Sequence, residues 1–287
     1  ISIKLKSYAK INIGLKIFNK RFDGRHNLET IFQEISLFDE IKISPSDNFT
    51  LKVNTSDIPK NEDNICYKAF YEMKKKFPQI SPVSIDLLKK IPVGSGLGGG
   101  SSNCASTMVG LIKLFKLDVN LNLLKDIASN LGSDISFFFH GGSQLGKGFG
   151  GDLKKISIPN IDYILLVFPD INISTSWAFK NLKNSLYDES SKSKFSDIHR
   201  LKFKWKSMQK FFENDFESLV FRTYPKIGNL KKTLLQYGAT YASLSGSGST
   251  VFGIFDDFET VSYAEKQMTQ MKTHLVKPIN YKKIFEY

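Results

Sequence analysis

The sequence predicts an α+β protein of two parts, each with its own sheet. Three observations carry this. Strand-like alternation dominates the opening segment, a glycine-rich stretch at Gly94–Gly100 joins a strand to an amphipathic helix, and the second half alternates buried strands with helices. A chain of 287 residues accommodates two ordinary domains. The expected partition is 1–160 and 161–287.

The elements follow in order. Ile3, Leu5 and Ser7, then Ile11, Ile13, Leu15 and Ile17, alternate with period two and predict two strands joined through Ala9-Lys10. Further strands are expected at Glu29–Leu37, Glu40–Ser44 and Phe49–Val53. Asn61-Glu62-Asp63 is a cap signal for a helix with Ile65, Ala69, Phe70 and Met73 on one face. Ser84–Leu88 reads as a strand. Helices are expected at Ser101–Phe115 and Asn120–Asn130, and a short apolar strand at Ile135–Phe139. In the second half, Tyr163–Phe168 is a continuous apolar run, as expected of a buried strand. Asp188–Asp197 is polar and lacks periodicity, a mobile loop or an insertion. Helical patterns follow at Trp205–Phe221 and Pro225–Tyr237, strands at Tyr241–Leu244 and Val251–Phe255, a helix at Asp257–Met271 and a strand at His274–Val276.

Composition narrows the class. At 41% hydrophobic and 24% charged, the chain is ordinary for a globular protein. Cys66 and Cys104 have no metal or redox spacing and read as buried thiols of a reducing compartment. No run reaches the ~18 apolar residues of a membrane span, and the N-terminus alternates like a strand, without a signal peptide's apolar region. The expected location is a bacterial-type cytoplasm, a plastid-type compartment being left open. The net charge of +12 points to anionic partners: nucleotides, nucleic acid or anionic lipid. Lysine runs such as Lys74-Lys75-Lys76 read as solvated helix faces.

The strongest signal is Pro92-Val93-Gly94-Ser95-Gly96-Leu97-Gly98-Gly99-Gly100-Ser101-Ser102. Glycines let the backbone turn with positive φ and approach a ligand closely. The first amides of the following helix lack intrahelical acceptors and sit at the positive end of its dipole. Together these form a cradle for a polyphosphate. It is not a Walker loop, which needs a lysine the stretch lacks. Gly94, Gly96 and Gly99 match the dinucleotide fingerprint, but the next element is a second helix where that fold needs a strand ending in an acid.

This segment, with its triple glycine and Ser101-Ser102-Asn103, resembles the second motif of the GHMP kinase superfamily. Ser7-Tyr8-Ala9-Lys10-Ile11-Asn12 resembles the first motif, Leu244-Ser245-Gly246-Ser247-Gly248-Ser249 the third. Arg21-Phe22-Asp23-Gly24-Arg25-His26 and Leu131-Gly132-Ser133-Asp134-Ile135 are similar to two segments of the branch that phosphorylates a cytidine-diphosphate-linked methylerythritol in the non-mevalonate isoprenoid pathway. The resemblance spans nearly the whole chain. It implies a ribosomal-S5-domain-2-like first half, a ferredoxin-like second half, and a site between them where the γ-phosphoryl group of ATP passes to the acceptor's 2-hydroxyl.

Phosphoryl transfer asks for positioning, charge stabilisation and a proton acceptor. Asp134 is the candidate base and Lys10 the cation for the transferring group. Asn64 and the residues Pro92–Ser102 are the expected ATP site. Magnesium is expected to be held mainly by ATP phosphates and water, with the Ser102 or Ser101 hydroxyl as a candidate ligand. The resemblance gives His26 the cytosine edge, Phe179 its face, and Asn12, Thr175, Gly246 and Gly248 further substrate contacts. Where the branch usually has a tyrosine opposite Phe179, this chain has Arg25, whose guanidinium also stacks on a base. No nucleic-acid or membrane partner is expected, and the protein is expected to be a monomer or weak homodimer. Two other readings stay open: another GHMP-type alcohol kinase, and a basic nucleic-acid-binding module suggested by Lys202-Phe203-Lys204-Trp205-Lys206.

Overall fold

The protein is described from a computed structural model, covering residues 2–22, 24, 26–182, 195 and 204–281. Arg25, Asp23, Lys202, Phe203 and all of the polar stretch Asp188–Asp197 except Phe195 lie outside the described residues.

The chain opens with two long antiparallel strands, β1 (Ile3–Lys20) and β2 (His26–Pro45), paired along their length. Sequence alternation suggests two strands in each place. The structure has one, because β-bulges between Tyr8/Ala9 and Ile13/Leu15 shift the register without ending the pairing. Bulges re-aim side chains beside functional sites, and these two bracket Lys10 and Asn12. Next come β3 (Thr50–Val53), α1 (Ile65–Lys76) and β4 (Val83–Leu88). The N-cap of α1 is Asn64, whose side chain accepts from the Cys66 amide at 2.8 Å, rather than the preceding Asn61–Asp63.

Helix α2 (Gly99–Phe115) starts inside the glycine run, and α3 (Leu121–Ser129) follows, capped by Asn120. The apolar run Ile135–Phe139, expected as a strand, is a 3-10 turn. Five apolar residues carry too little periodicity to separate the two states. Ile135 and Phe139 instead pack into the helix-lined core, while the Phe137 ring meets that of Phe32 at 5.0 Å. A hairpin that sequence reading missed, β5 (Ser143–Lys147) and β6 (Asp152–Lys155), completes a six-stranded sheet.

The second sheet begins at β7 (Tyr163–Phe168), continues through the helices α4 (Thr175–Asn181), α5 (Glu217–Thr223) and α6 (Pro225–Gln236), and ends with β8 (Tyr241–Leu244), β9 (Val251–Phe255), α7 (Phe258–Gln267) and β10 (Lys272–Val276). Its order is β10-β7-β9-β8 with every neighbouring pair antiparallel, the split βαβ arrangement of a ferredoxin-like sheet. The helix expected at Trp205–Phe221 is a 3-10 turn at Trp205–Ser207, then α5. Between them Glu213 and Asp215 exchange backbone hydrogen bonds with Leu15, so the chain there is tied to β1 and cannot stay helical.

The molecule has four layers. α1, α2 and α3 pack on one face of the first sheet through Cys66, Phe70, Met73, Met108 and Leu111. Its other face, through Ala9, Ile11, Ile13, Ile31 and Ile35, meets Ile164, Leu166, Tyr241, Phe252 and Ile254 of the second sheet. Leu165 and Val167 point the opposite way, onto Val220, Ile227, Leu234 and Val261 of the outer helices. Period-two alternation thus buries both faces of β7, which is why its sequence is continuously apolar. Among the described residues no helix is long and apolar enough to cross a membrane.

Candidate active site

Lys10 is carried on β1 between the two bulges and is 4% exposed. Its ammonium donates to Asn12 Oδ1 at 2.5 Å and to the Gly96 carbonyl at 2.8 Å, and lies 3.8 Å from Asp134 Oδ2. Asn12 is held in turn through Nδ2 by Thr30 Oγ1 at 3.0 Å, and Thr30 donates to the Gly14 carbonyl. Asp134 caps the 3-10 turn, its side chain 28% exposed and its Oδ1 accepting from Ser133 Oγ at 3.3 Å. A buried cation therefore faces a carboxylate that solvent still reaches.

Burial pushes the Lys10 ammonium below its ordinary lysine pKa, and the Asp134 charge partly offsets this. The sign matters for pH dependence. With the folded pKa below the unfolded one, the unfolded chain holds the extra proton between the two values, so Lys10 favours folding as pH rises through that window. Turnover that needs the ammonium runs the other way. We expect kcat to fall on the alkaline side below the ordinary lysine range while circular dichroism stays native. A profile flat through that range would exclude Lys10 as the required cation.

The glycine stretch packs against this pair. Gly94, Gly96 and Gly98 have φ of 65°, 78° and 69°, so every second residue is left-handed. That alternation curls successive amides into a concave anion nest. At Gly98, the residue before α2, a Cβ would lie 3.0 Å from both Lys10 Cε and Phe138 Cζ. At Gly96 it would lie 2.1 Å from the Ser245 carbonyl oxygen. This glycine stretch and a second glycine-rich loop, Leu244–Ser249, therefore touch backbone to backbone, joined also by Ser245 Oγ to Gly96 O at 3.0 Å and Thr250 N to Ser95 O at 3.2 Å. This contact joins the two sheets at the site. Leu97 is fully buried, and its carbonyl accepts from Lys10 N at 3.0 Å.

Lys10, Asn12, Thr30, Asp134 and the glycine stretch line one cleft of about 1610 Å³. A pocket for one small ligand is typically ~300–1,000 Å³, so this cleft has room for two. Its wall includes Asn64, Pro92, Val93, Gly94–Ser101 and residues of α3, then His26, Thr175, Phe179, Gly246 and Ser247; Lys10, Asn12 and Asp134 also line it. His26 Nδ1 pairs with the Phe18 carbonyl at 2.9 Å, and its ring is nearly parallel to that of Phe179 at 5.7 Å. Phe216 braces Phe179 edge-on at 5.0 Å. Thr175 and Ser247 hydroxyls meet at 3.1 Å.

Two expected site residues are placed elsewhere. Ser102 is buried behind the loop, its hydroxyl accepting from Ser7 Oγ at 2.8 Å, while Ser101 lies on the cleft. Gly248 is off the cleft wall, and a Cβ there would face Leu244 and Ile173. Sequence reading missed the β5–β6 turn, where Lys147, Gly148, Phe149 and Asp152 line the cleft and Gly150 lies beside Asp134. The run of glycines from Gly148 to Gly151 was the available signal.

The model of the GHMP kinases N terminal domain matches residues 64–142, and that of the GHMP kinases C terminal matches residues 201–272. Fold and cleft thus define a kinase of the GHMP class, with ATP as phosphoryl donor. The 4-diphosphocytidyl-2-C-methyl-D-erythritol kinase of Chlorobium phaeobacteroides (strain DSM 266) is 38% identical over 270 residues, covering 93% of this chain and 92% of that protein. The enzyme of the same name from Prosthecochloris aestuarii is also 38% identical, over 269 residues, with 93% and 94% covered. A crystal structure of 4-(cytidine 5'-diphospho)-2C-methyl-D-erythritol kinase superposes with a TM-score of 0.78 at 26% identity over 96% of this chain and 99% of that one. A mevalonate kinase superposes at 0.72 with 16% identity, a likeness of fold, over 97% of this chain and 99% of that one. The chain belongs to the 4-diphosphocytidyl-2-C-methyl-D-erythritol kinase family of the GHMP kinases. These matches set aside the nucleic-acid-binding alternative.

Proposed function

We propose that this chain transfers the γ-phosphoryl group of ATP to the 2-hydroxyl of 4-diphosphocytidyl-2-C-methyl-D-erythritol. The observation that carries the reading is the Lys10–Asp134 pair in a cleft walled by both the glycine loop and the stacked His26–Phe179 rings. Asp134 accepts the hydroxyl proton as the oxygen–phosphorus bond forms and the bond to the β-phosphate oxygen breaks. Lys10 stabilises charge on the transferring group. The loop Pro92–Ser101 holds the phosphates through its amides, and Asn64 lines the base end of that subsite. Phe179 offers its ring to the cytosine face and His26 a ring nitrogen to its edge, with Asn12, Thr175 and Gly246 as polar or backbone contacts; Arg25 belongs to the same proposal but lies outside the described residues.

Among the described residues no cluster of three His, Cys, Asp or Glu side chains is placed to hold a metal alone. Mg2+, which screens phosphate charge, fits here as an ion carried mainly by the phosphates and water, with the Ser101 hydroxyl as a candidate ligand on the cleft. We take 1–160 as the ATP-binding domain and 161–287 as its partner domain, the break falling between β6 and β7. We further take the protein to be a monomer or weak homodimer in the cytoplasm.

The test is ADP release with ATP and, separately, the cytidine substrate, mevalonate and homoserine. Turnover confined to the cytidine substrate is expected. Comparable turnover with another alcohol would replace this assignment with a different GHMP kinase activity.

A further inference from the structure

Behind the glycine loop lies a buried polar cluster that the mechanism above does not use. Asp39, on β2, is wholly inaccessible to solvent. Its Oδ1 accepts from the backbone amides of Lys90 at 2.7 Å and Ile91 at 2.8 Å. Its Oδ2 accepts from Asn103 Nδ2 at 2.8 Å and forms an ion pair with Lys89, whose side chain is 7% exposed. Lys89 also donates to Asn103 Oδ1 at 3.1 Å, and Asn103 Nδ2 reaches Ser7 Oγ at 2.9 Å.

Each partner of Asp39 adjoins the proposed phosphate cradle. Lys90 and Ile91 are where the chain leaves β4 and enters the loop. Asn103 sits one turn inside α2, whose N-terminus closes the cradle. Lys89 lines the cleft beside the first residue of α2; a Cβ on Gly99 would come within 3.0 Å of its Nζ. The loop's entry, its helix and its neighbouring cation are thus all referenced to one carboxylate. A buried ion pair is weak evidence for stability, and its best-attested use is to fix registry. The full satisfaction of Asp39 by four donors fits that use.

We propose that Asp39 is a positioning residue for the kinase reaction, setting the phosphate loop, Lys89 and α2 in the register that binds the triphosphate. This rests on the ATP-site reading above. Asp39→Asn keeps an oxygen for the two amides but removes the counter-charge of Lys89 and sets an amide in place of one acceptor. We expect KM for ATP to rise ~10-fold or more, as for a displaced positioning group, with KM for the acceptor within about twofold of wild type. Asn103→Ala removes the tie from Asp39 to α2, with the Asn103 bonds to Lys89 and Ser7, and leaves the Asp39–Lys89 ion pair; its effect should have the same direction and be smaller, and it decides the matter if Asp39→Asn fails to fold. Binding of ATP alone, by titration calorimetry, should weaken in parallel. A folded variant with a lower melting temperature but unchanged constants for both substrates, or with both constants raised together, would overturn the proposal. Wild-type protein that binds no ATP would instead overturn the ATP-site reading.

Discussion

Asp134→Asn is expected to lower kcat by at least ~10²-fold, the usual size of a general-base effect, while ATP binds nearly as in wild type. The substitution keeps the side chain's size and its place at the cap of the 3-10 turn. What it removes is the proton acceptor and the charge 3.8 Å from Lys10. Lys10 still has the Asn12 and Gly96 acceptors, so its ammonium is not left without hydrogen bonds and the fold should hold. The proposed ATP cradle is made of loop and helix amides, whereas the polar partners of Asp134 are Ser133 and Lys10. Steady-state turnover and calorimetric ATP affinity on the same preparation check this. Near-wild-type kcat would remove Asp134 from the mechanism and leave the hydroxyl proton to solvent.

Asp134 also shows where the sequence was legible. Its identity was readable from the segment Leu131–Ile135, but its setting was not. The run after it was expected as a strand, which would have aimed the carboxylate along a sheet edge; the 3-10 turn, fixed by Phe137 against Phe32 and Phe139 in the helix-lined core, aims it at Lys10. Tertiary packing made that choice, and a five-residue window contains none of it. β7 and the glycine loop were legible for the opposite reason: each carries its cause locally, one in a run buried on both faces, the other in residues whose left-handed φ requires glycine.

The continuity of β1 through Ala9-Lys10 falls between these cases. A bulge leaves alternation looking broken while the ladder persists. Asp39 was not legible at all. Its partners lie about fifty to sixty-four positions away, and nothing around it in sequence marks it as different from a surface acid. His26 and Phe179 were brought together as expected of one substrate end, but their mutual stacking depends on α4, a helix sequence periodicity did not give, and the brace from Phe216 on the start of α5, which it gave only as part of a longer helix.

The contact between the two glycine-rich loops carries the other large expectation. Gly96→Ala should abolish most activity, by ~10²-fold or more if the loops part by about an ångström, and should lower the melting temperature. The φ of 78° at Gly96 disfavours any side chain, at about 1–2 kcal/mol. The greater penalty is steric: the new Cβ would sit 2.1 Å from Ser245 O and 2.9 Å from Gly248 O, both backbone atoms that no rotamer change can move aside. Relief requires the second loop to retreat, and Gly96 O is also an acceptor for Lys10 and Ser245. Displacement there therefore reaches Lys10, the proposed catalytic cation, directly. Gly100→Ala is the control in the same run. It lies on the cleft, in the first turn of α2, with no protein atom within 4 Å of a built Cβ. Alanine there should fold as well as glycine or be stabilised by about 0.5–1 kcal/mol, so any loss of ATP affinity reads the ligand and not the fold. Calorimetric ATP affinity, kcat and thermal melts for both variants separate the two roles. A Gly96→Ala protein with wild-type melting and turnover would mean that the active enzyme does not hold its two loops in contact.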